Sequence, residues 1–300
     1  MSKGTVILLV VIGCLLLAIA NLALWATLDV FNADRFGEHV AEGLQSEASA
    51  EALAGPIVDQ LLVAYPDFPA LLRGPAEEVV VWTLQRPVFT AVVKETAAVA
   101  NKAMTTSAED VVGIDLRSAV SNVGDTMVGV VSTLDPDAGA RAQTALDSVE
   151  QGKRLAIYES GRLPALRSLS NLAPWLALLA GVGAIVLFVV ANMRAEDQHQ
   201  ALQETSIGIM ATAGIGFLLS VPLINGIAQN NVANPTMGIV VGEVLSALVR
   251  GFAVQSLLIF FIGLILLVVN HYRGSQNDQA EAASAAQATP VAEAAPQQPA

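Results

Sequence analysis

Four uncharged apolar runs, residues 5–28, 168–193, 205–227 and 251–270, constrain this chain more than any other feature. Each reaches the roughly 20 residues that an α-helix needs to cross a bilayer core of about 30 Å. Backbone N–H and C=O groups find no water there, so a single segment of this kind crosses as a helix. The expected fold class is mainly α, with four transmembrane helices in an integral, multi-pass protein of the cell membrane.

The first run exceeds the roughly 7 to 15 apolar residues of a cleaved signal peptide and is read as an uncleaved anchor. Val11-Ile12-Gly13-Cys14 has the form of a lipobox, but the apolar run continues well past Cys14, so the lone thiol is expected to be buried and inert. The helices divide the chain into 1–28 (span one), 29–167 (a helical extracytoplasmic domain), 168–193 (span two) and 194–204 (a cytoplasmic loop). Then follow 205–228 (span three), 229–249 (an outer loop and pre-span helix), 250–271 (span four) and 272–300 (an acidic Ala/Gln/Pro-rich tail).

The formal charge is −12, and residues 29–170 hold 20 Asp and Glu against 11 Lys and Arg. Such a surface repels phosphate backbones and argues against a nucleic-acid partner. Lys3, Arg194 and Arg273 flank the spans on one side, which by the positive-inside rule places both termini in the cytoplasm. Arg162, Arg167 and Arg250 oppose that orientation. They count for less, because large domains translocate largely regardless of charge.

Within the domain, Asn32 is a predicted N-cap for a helix presenting Phe36, Val40 and Leu44. Leu53, Ile57 and Leu61 continue after an interruption at Gly55-Pro56, and Tyr65-Pro66-Asp67-Phe68-Pro69 breaks the chain. Gly74-Pro75 opens a long helix to about Met104, kinked at Pro87. Leu116, Val120, Val123, Met127, Val130 and Leu134 form one helical stripe, and Asp135-Pro136-Asp137 starts an antiparallel partner. Alternation in residues 111–115 and 154–159 predicts a short two-stranded β-ribbon beside this helical bundle. Leu163, Leu166, Leu169 and Leu172 then form an amphipathic approach to span two, where Arg162 and Arg167 snorkel.

Spans two and three, joined by a short loop, are expected to be antiparallel neighbours. Span three carries Gly208, Thr212, Gly216 and Ser220 at i, i+4 spacing, a small-residue face suited to helix packing. If that face held a homo-oligomer, Gly216→Leu would abolish it. Pro222 marks a potential kink near the end of this span. No span has a charged residue or His in its central turns, which disfavours an ion-coupled carrier. The tail, with no Lys or Arg after Arg273, is expected to be disordered.

Chemistry finds no foothold. His39, His199 and His271 lack metal-ligand spacing, and one Cys makes no thiolate site. Asp135-Pro136-Asp137-Ala138-Gly139 departs from a calcium loop at its sixth and twelfth positions, Ala140 and Leu146. Glu77-Glu78 belongs in a helix first turn, where the dipole stabilises acids. No catalytic residue, cofactor site or metal site is expected.

Four features together carry a resemblance: Asp34-Arg35-Phe36 after an N-terminal anchor, Gly113-Ile114-Asp115-Leu116, Leu155-Ala156-Ile157 before an approach helix, and three closely spaced C-terminal spans. In these the chain resembles a family of uncharacterised bacterial, actinobacterial-type integral membrane proteins, although Ala173-Pro174 stands where Leu-Pro is more usual. The resemblance implies one N-terminal span, a helical extracytoplasmic domain and three further spans, and it implies no activity. The function expected is therefore non-enzymatic: the domain binds, scaffolds or senses an envelope or membrane partner, with membrane lipids around the spans. The alternative is a subunit of an oligomeric pore or transporter.

Overall fold

The computed structural model describes residues 2–64, 73–106, 111–114, 155–159, 164–230 and 235–288, together with the single positions 132, 139, 140 and 144. The helical stripe from Leu116 to Leu134, its partner and the Asp135 loop lie outside the described residues, apart from those single positions.

Four helices are long and apolar enough to cross a membrane, which makes this a multi-pass membrane protein of helical fold. Span one is α1 (Lys3–Trp25), extended by a π-helical turn at Ala26–Val30. Span two lies in α6 (Pro164–Arg194), span three in α7 (Gln198–Asn230) and span four in α8 (Pro235–Ala288). Their outward faces are apolar: Leu179, Leu218 and Ile265 are 60 to 70% exposed. Such a surface belongs against lipid tails rather than water.

Span one occupies the centre of the bundle. Gly13 faces the ring of Phe188 in α6, and Gly208 of α7 faces Cys14 and Val10. α6 packs on α1, with Gly181 facing Ala20, Gly183 facing Leu16 and Ala191 clustered with Val6 and Val10; Ala173, Ala180, Ala184 and Ala191 form a stripe of buried alanines at heptad spacing. Spans two and three are antiparallel but, contrary to the expectation from their short loop, span one separates them over most of their length. They meet near the loop, where Asn192 Nδ2 donates to Thr205 Oγ1 at 3.3 Å. α7 and α8 form the most extensive pair. There Gly263 abuts the Ser206 carbonyl and the Met210 side chain, and Asn270 donates to the His199 carbonyl at 2.9 Å.

Among the described residues, the part outside the spans includes the helices α2 (Ala33–Gln45), α3 (Glu47–Ala64), α4 (Arg73–Leu84) and α5 (Pro87–Thr106). Asn32 caps α2 by accepting from the Arg35 amide at 3.1 Å. The most buried positions of α2 are Gly37, Ala41 and Gly43, with Phe36, Val40 and Leu44 at its margins. α2 is a wedge with two glycine faces. A side chain at Gly37 would overlap the Lys94 carbonyl of α5, and one at Gly43 would overlap the Val244 backbone of α8. Lys94 also donates to Glu38 at 2.7 Å and holds that carboxyl below the ordinary glutamate range. Both groups are exposed, so the pair contributes below about 1 kcal/mol.

α3 and α4 enclose a small core of Ala50, Ala54, Val58, Val80 and Leu84. Arg73 binds Asp59 of α3 at 2.8 Å, closing the same pair of helices. Two sequence expectations fail here. α3 runs unbroken through Gly55-Pro56, because a proline inside a helix need cost only one backbone bond and a bend. At Pro87 the helix ends and restarts instead of kinking: Gln85 and Arg86 form a turn, and Pro87 opens α5 at the position where its missing N–H costs nothing.

β1 (Val111–Ile114) and β2 (Leu155–Glu159) run antiparallel, with a register shift between Val112 and Gly113. α7 continues past Pro222 to Asn230. The largest departure is at the C-terminus, where α8 extends to Ala288, well into the segment expected to be disordered. Six alanines between 280 and 288 supply the helix propensity. Residues 289–300 lie outside the described residues.

The close helix crossings predict a contrast between two glycines. Gly263→Leu should lower stability by about 1 to 3 kcal/mol, because the added side chain meets the Ser206 carbonyl and Met210. Gly214→Ala, at a position with nothing within 4 Å, should be neutral or slightly stabilising. Thermal unfolding of the two variants in one detergent checks this.

Candidate functional site

The most chemically distinctive region is a polar seam between span one and span four that ends at α2. It begins with sequence spacing: Asn21, Trp25 and Asp29 lie four apart. Four residues overshoot an α-helical turn of about 3.6, so such a row would drift around the helix. The π turn, with Phe31 N–H bonding the Ala26 carbonyl five residues back at 2.7 Å, offsets that drift. All three side chains reach α8.

Deepest in the span, Asn21 Nδ2 donates to Ser256 Oγ at 2.9 Å, and Gln255 Nε2 donates to the Asn21 carbonyl at 3.0 Å. Ser256 is fully buried, and Asn21 Oδ1 is buried without a hydrogen-bond partner. One turn on, Trp25 Nε1 donates to the Leu248 carbonyl at 3.0 Å and its ring meets Phe252 edge-on, 5.7 Å between centroids. At the end of the seam His39 Nε2 lies 3.2 Å from Asp29 Oδ1, with both side chains about 15% exposed. Gly251 leaves the space that the Asp29 carboxylate fills. His39 Nδ1 is buried with no hydrogen-bond partner, 4.0 Å from Glu42, and Glu42 pairs with Arg250 at the head of span four. From α5, Asn101 Nδ2 donates to the Val30 carbonyl at 2.8 Å and holds the π turn from the other side.

This arrangement joins α1, α2, α5 and α8. Among the described residues no group of three or more His, Cys, Asp or Glu has the geometry to hold a metal ion. The seam carries two ionisable pairs, the largely buried Asp29–His39 at the end of span one and the more exposed Glu42–Arg250.

The four small residues of span three have separate surroundings. Gly208 meets span one, and Gly216 meets Phe252 and Ser256 of span four at 3.4 Å from the position a Cβ would take. The Thr212 hydroxyl donates to the Gly208 carbonyl, and Ser220, buried, donates to the Phe217 carbonyl. They do not form one interface, since two partner helices of the same chain divide the ladder. Gly216→Leu is therefore expected to disturb the pairing of spans three and four within one chain.

Sequence reasoning missed Asp29, His39, Glu42 and Arg250 as a group. His39 and Glu42 sit at i, i+3 on α2, which was a usable signal; their partners at 29 and 250 arrive only through the fold. Asp29→Ala would leave His39 with both ring nitrogens unpartnered and should destabilise by about 1 to 3 kcal/mol. Glu42→Ala, which removes a half-exposed partner of Arg250, should cost less than about 1 kcal/mol. Chemical unfolding of both variants in detergent distinguishes the two contributions.

Comparison with protein-family models, curated sequences and solved structures returned no match, so the resemblance described above stands on its own motifs.

Proposed function

We propose that this chain is a non-enzymatic protein of the cell membrane whose helical domain lies outside the cytoplasm and serves as a binding, scaffold or sensing module for an envelope or membrane partner. The observation that carries this reading is the continuity of α8. It is one helix of 54 residues, which at about 1.5 Å per residue is some 80 Å long against a bilayer core of about 30 Å. Its first turns pack on α2 and α3, and its last turns leave the opposite end of the bundle. A displacement of α2 or α3 is transmitted into span four without an intervening linker.

A face suited to a partner is present on α4. Trp82 is 46% exposed, and the Arg86 guanidinium stacks 3.5 Å from its ring centre. Trp and Arg are the residues most enriched at binding hot spots. The outward orientation of the domain, with both termini in the cytoplasm, rests on Lys3, Arg194 and Arg273 at the other end of the bundle. A pore or transporter built on the small-residue face of span three has less support, because Gly208 and Gly216 are engaged within the chain.

Two experiments test the proposal. In a Cys14→Ser background, Ala48→Cys on α3 should react with a membrane-impermeant maleimide in intact cells, whereas Gln198→Cys should react only after permeabilisation. The reverse pattern would place the domain in the cytoplasm and contradict the orientation. A photoreactive side chain in place of Glu78, one turn from Trp82, should give a discrete adduct in intact cells that disappears with Trp82→Ala. An adduct indifferent to Trp82 would refute the binding face.

A further inference from the structure

A groove runs along the outside of the bundle between α1 and α7, with a volume of about 730 Å³, within the range of small-ligand sites. Its walls are almost wholly apolar, Ile7, Val11 and Ala18 on one side and Ala211, Ile215 and Leu219 on the other. Ile7, Val11, Ile215 and Leu219 are 43 to 58% exposed, so the groove opens sideways, towards the hydrocarbon of the bilayer. From Ile7 to Asn21 the wall rises fourteen residues, about 21 Å at the helical rise, enough for an extended acyl chain.

The end of this groove nearest the α6–α7 loop adjoins a second, smaller cavity of about 130 Å³, and Glu204 lines both. The smaller cavity has a mixed lining: Lys3, Glu196, Asp197, Gln200 and Glu204 stand beside Val6, Ala195 and Ala201. Asp197 Oδ1 accepts from the Gln200 amide at 3.0 Å, and Glu204 Oε1 accepts from Gln200 Nε2 at 3.1 Å. An ionised carboxylate offers about four acceptor sites, so both acids keep capacity for a further donor. Asp197 and Glu204 thus offer two carboxylates beside the Lys3 ammonium in this cavity.

An apolar slot open to lipid tails that shares Glu204 with a chamber holding Asp197 and Lys3 complements an amphiphile whose head carries both a cation and an anion. We propose that the groove holds one acyl chain of a membrane phospholipid whose primary-amine headgroup donates to Asp197 and Glu204, its phosphate facing Lys3. The second acyl chain remains in the bilayer. An anionic headgroup without an amine meets the same carboxylates as like charges and is disfavoured. This inference needs only the membrane-spanning character of the four helices and is independent of which side the domain occupies.

The test uses the full chain in phosphatidylcholine vesicles doped with phosphatidylethanolamine or phosphatidylglycerol, each carrying a diazirine in one acyl chain. After irradiation, peptide mass spectrometry locates the adducts. The ethanolamine probe should label residues 7–18 and 207–219 roughly two- to fivefold more than the glycerol probe, the range that exposed charge pairs produce. Asp197→Asn together with Glu204→Gln should bring the two probes to equal labelling, and Ala211→Trp, which fills the groove from an exposed position, should remove both labels there. Ala18→Trp on the facing wall gives the same reading if Ala211→Trp does not fold. Equal labelling of the unaltered protein by both probes, or adducts spread evenly over all lipid-facing helices, would overturn the proposal. A preference that survives Asp197→Asn together with Glu204→Gln would overturn the headgroup assignment.

Discussion

Lipid tails are as apolar as the side chains they surround, so no hydrophobic drive pulls the spans of this protein together. Cohesion in the bilayer must come from van der Waals packing at close approach and from hydrogen bonds that water does not compete for. Both are visible, around α1 and at the crossing of α7 and α8. Ala184 and Ala191 bring α6 close to span one, Gly208 does so for α7, and Gly263 lets α8 reach the α7 backbone. The polar contribution is modest: intramembrane side-chain hydrogen bonds average near 0.6 kcal/mol. Asn21–Ser256 therefore does more to set the register of spans one and four than to stabilise them.

The same device continues beyond the spans. α2 carries no large buried side chain, and its glycines bring it against α5 on one face and α8 on the other. The first turns of α8 consequently belong to the domain and its middle to the membrane, with the seam from Asn21 to Glu42 clamping the passage between them. Asp29 sits where that clamp is tightest, its carboxylate seated over Gly251 and turned to His39 by the π geometry of the preceding residues.

The four spans were legible because crossing a bilayer imposes a length and a composition that any reader can count. The Asn32 cap was legible because capping is a local contact between a side chain and an amide three residues on. What escaped was relational. The alanine stripe at 173, 180, 184 and 191 has a visible period, but nothing in α6 says that span one is its partner and span three is not. Gly37 and Gly43 read as weak helix formers until the backbones of Lys94 and Val244 are set against them. Asp29 and Arg250 reach α2 from positions 10 and 208 residues away from their partners His39 and Glu42. Up to Ala288 the tail departs from expectation for a different reason: its polar composition argued for disorder, while its alanines, continuing a helix already nucleated in span four, favoured more helix.

The central claim is that α8 passes from domain to membrane as one unbroken helix, clamped to span one and α2 at the junction. Amide hydrogen exchange of the full chain in a bilayer mimic, followed through residues 244–258, tests it most directly. The account predicts slow exchange throughout that window, with Val249, Arg250 and Gly251 as protected as Gln255 and Ser256. Fast exchange confined to residues 249–251, with protection on either side, would show a hinge at the seam and contradict it.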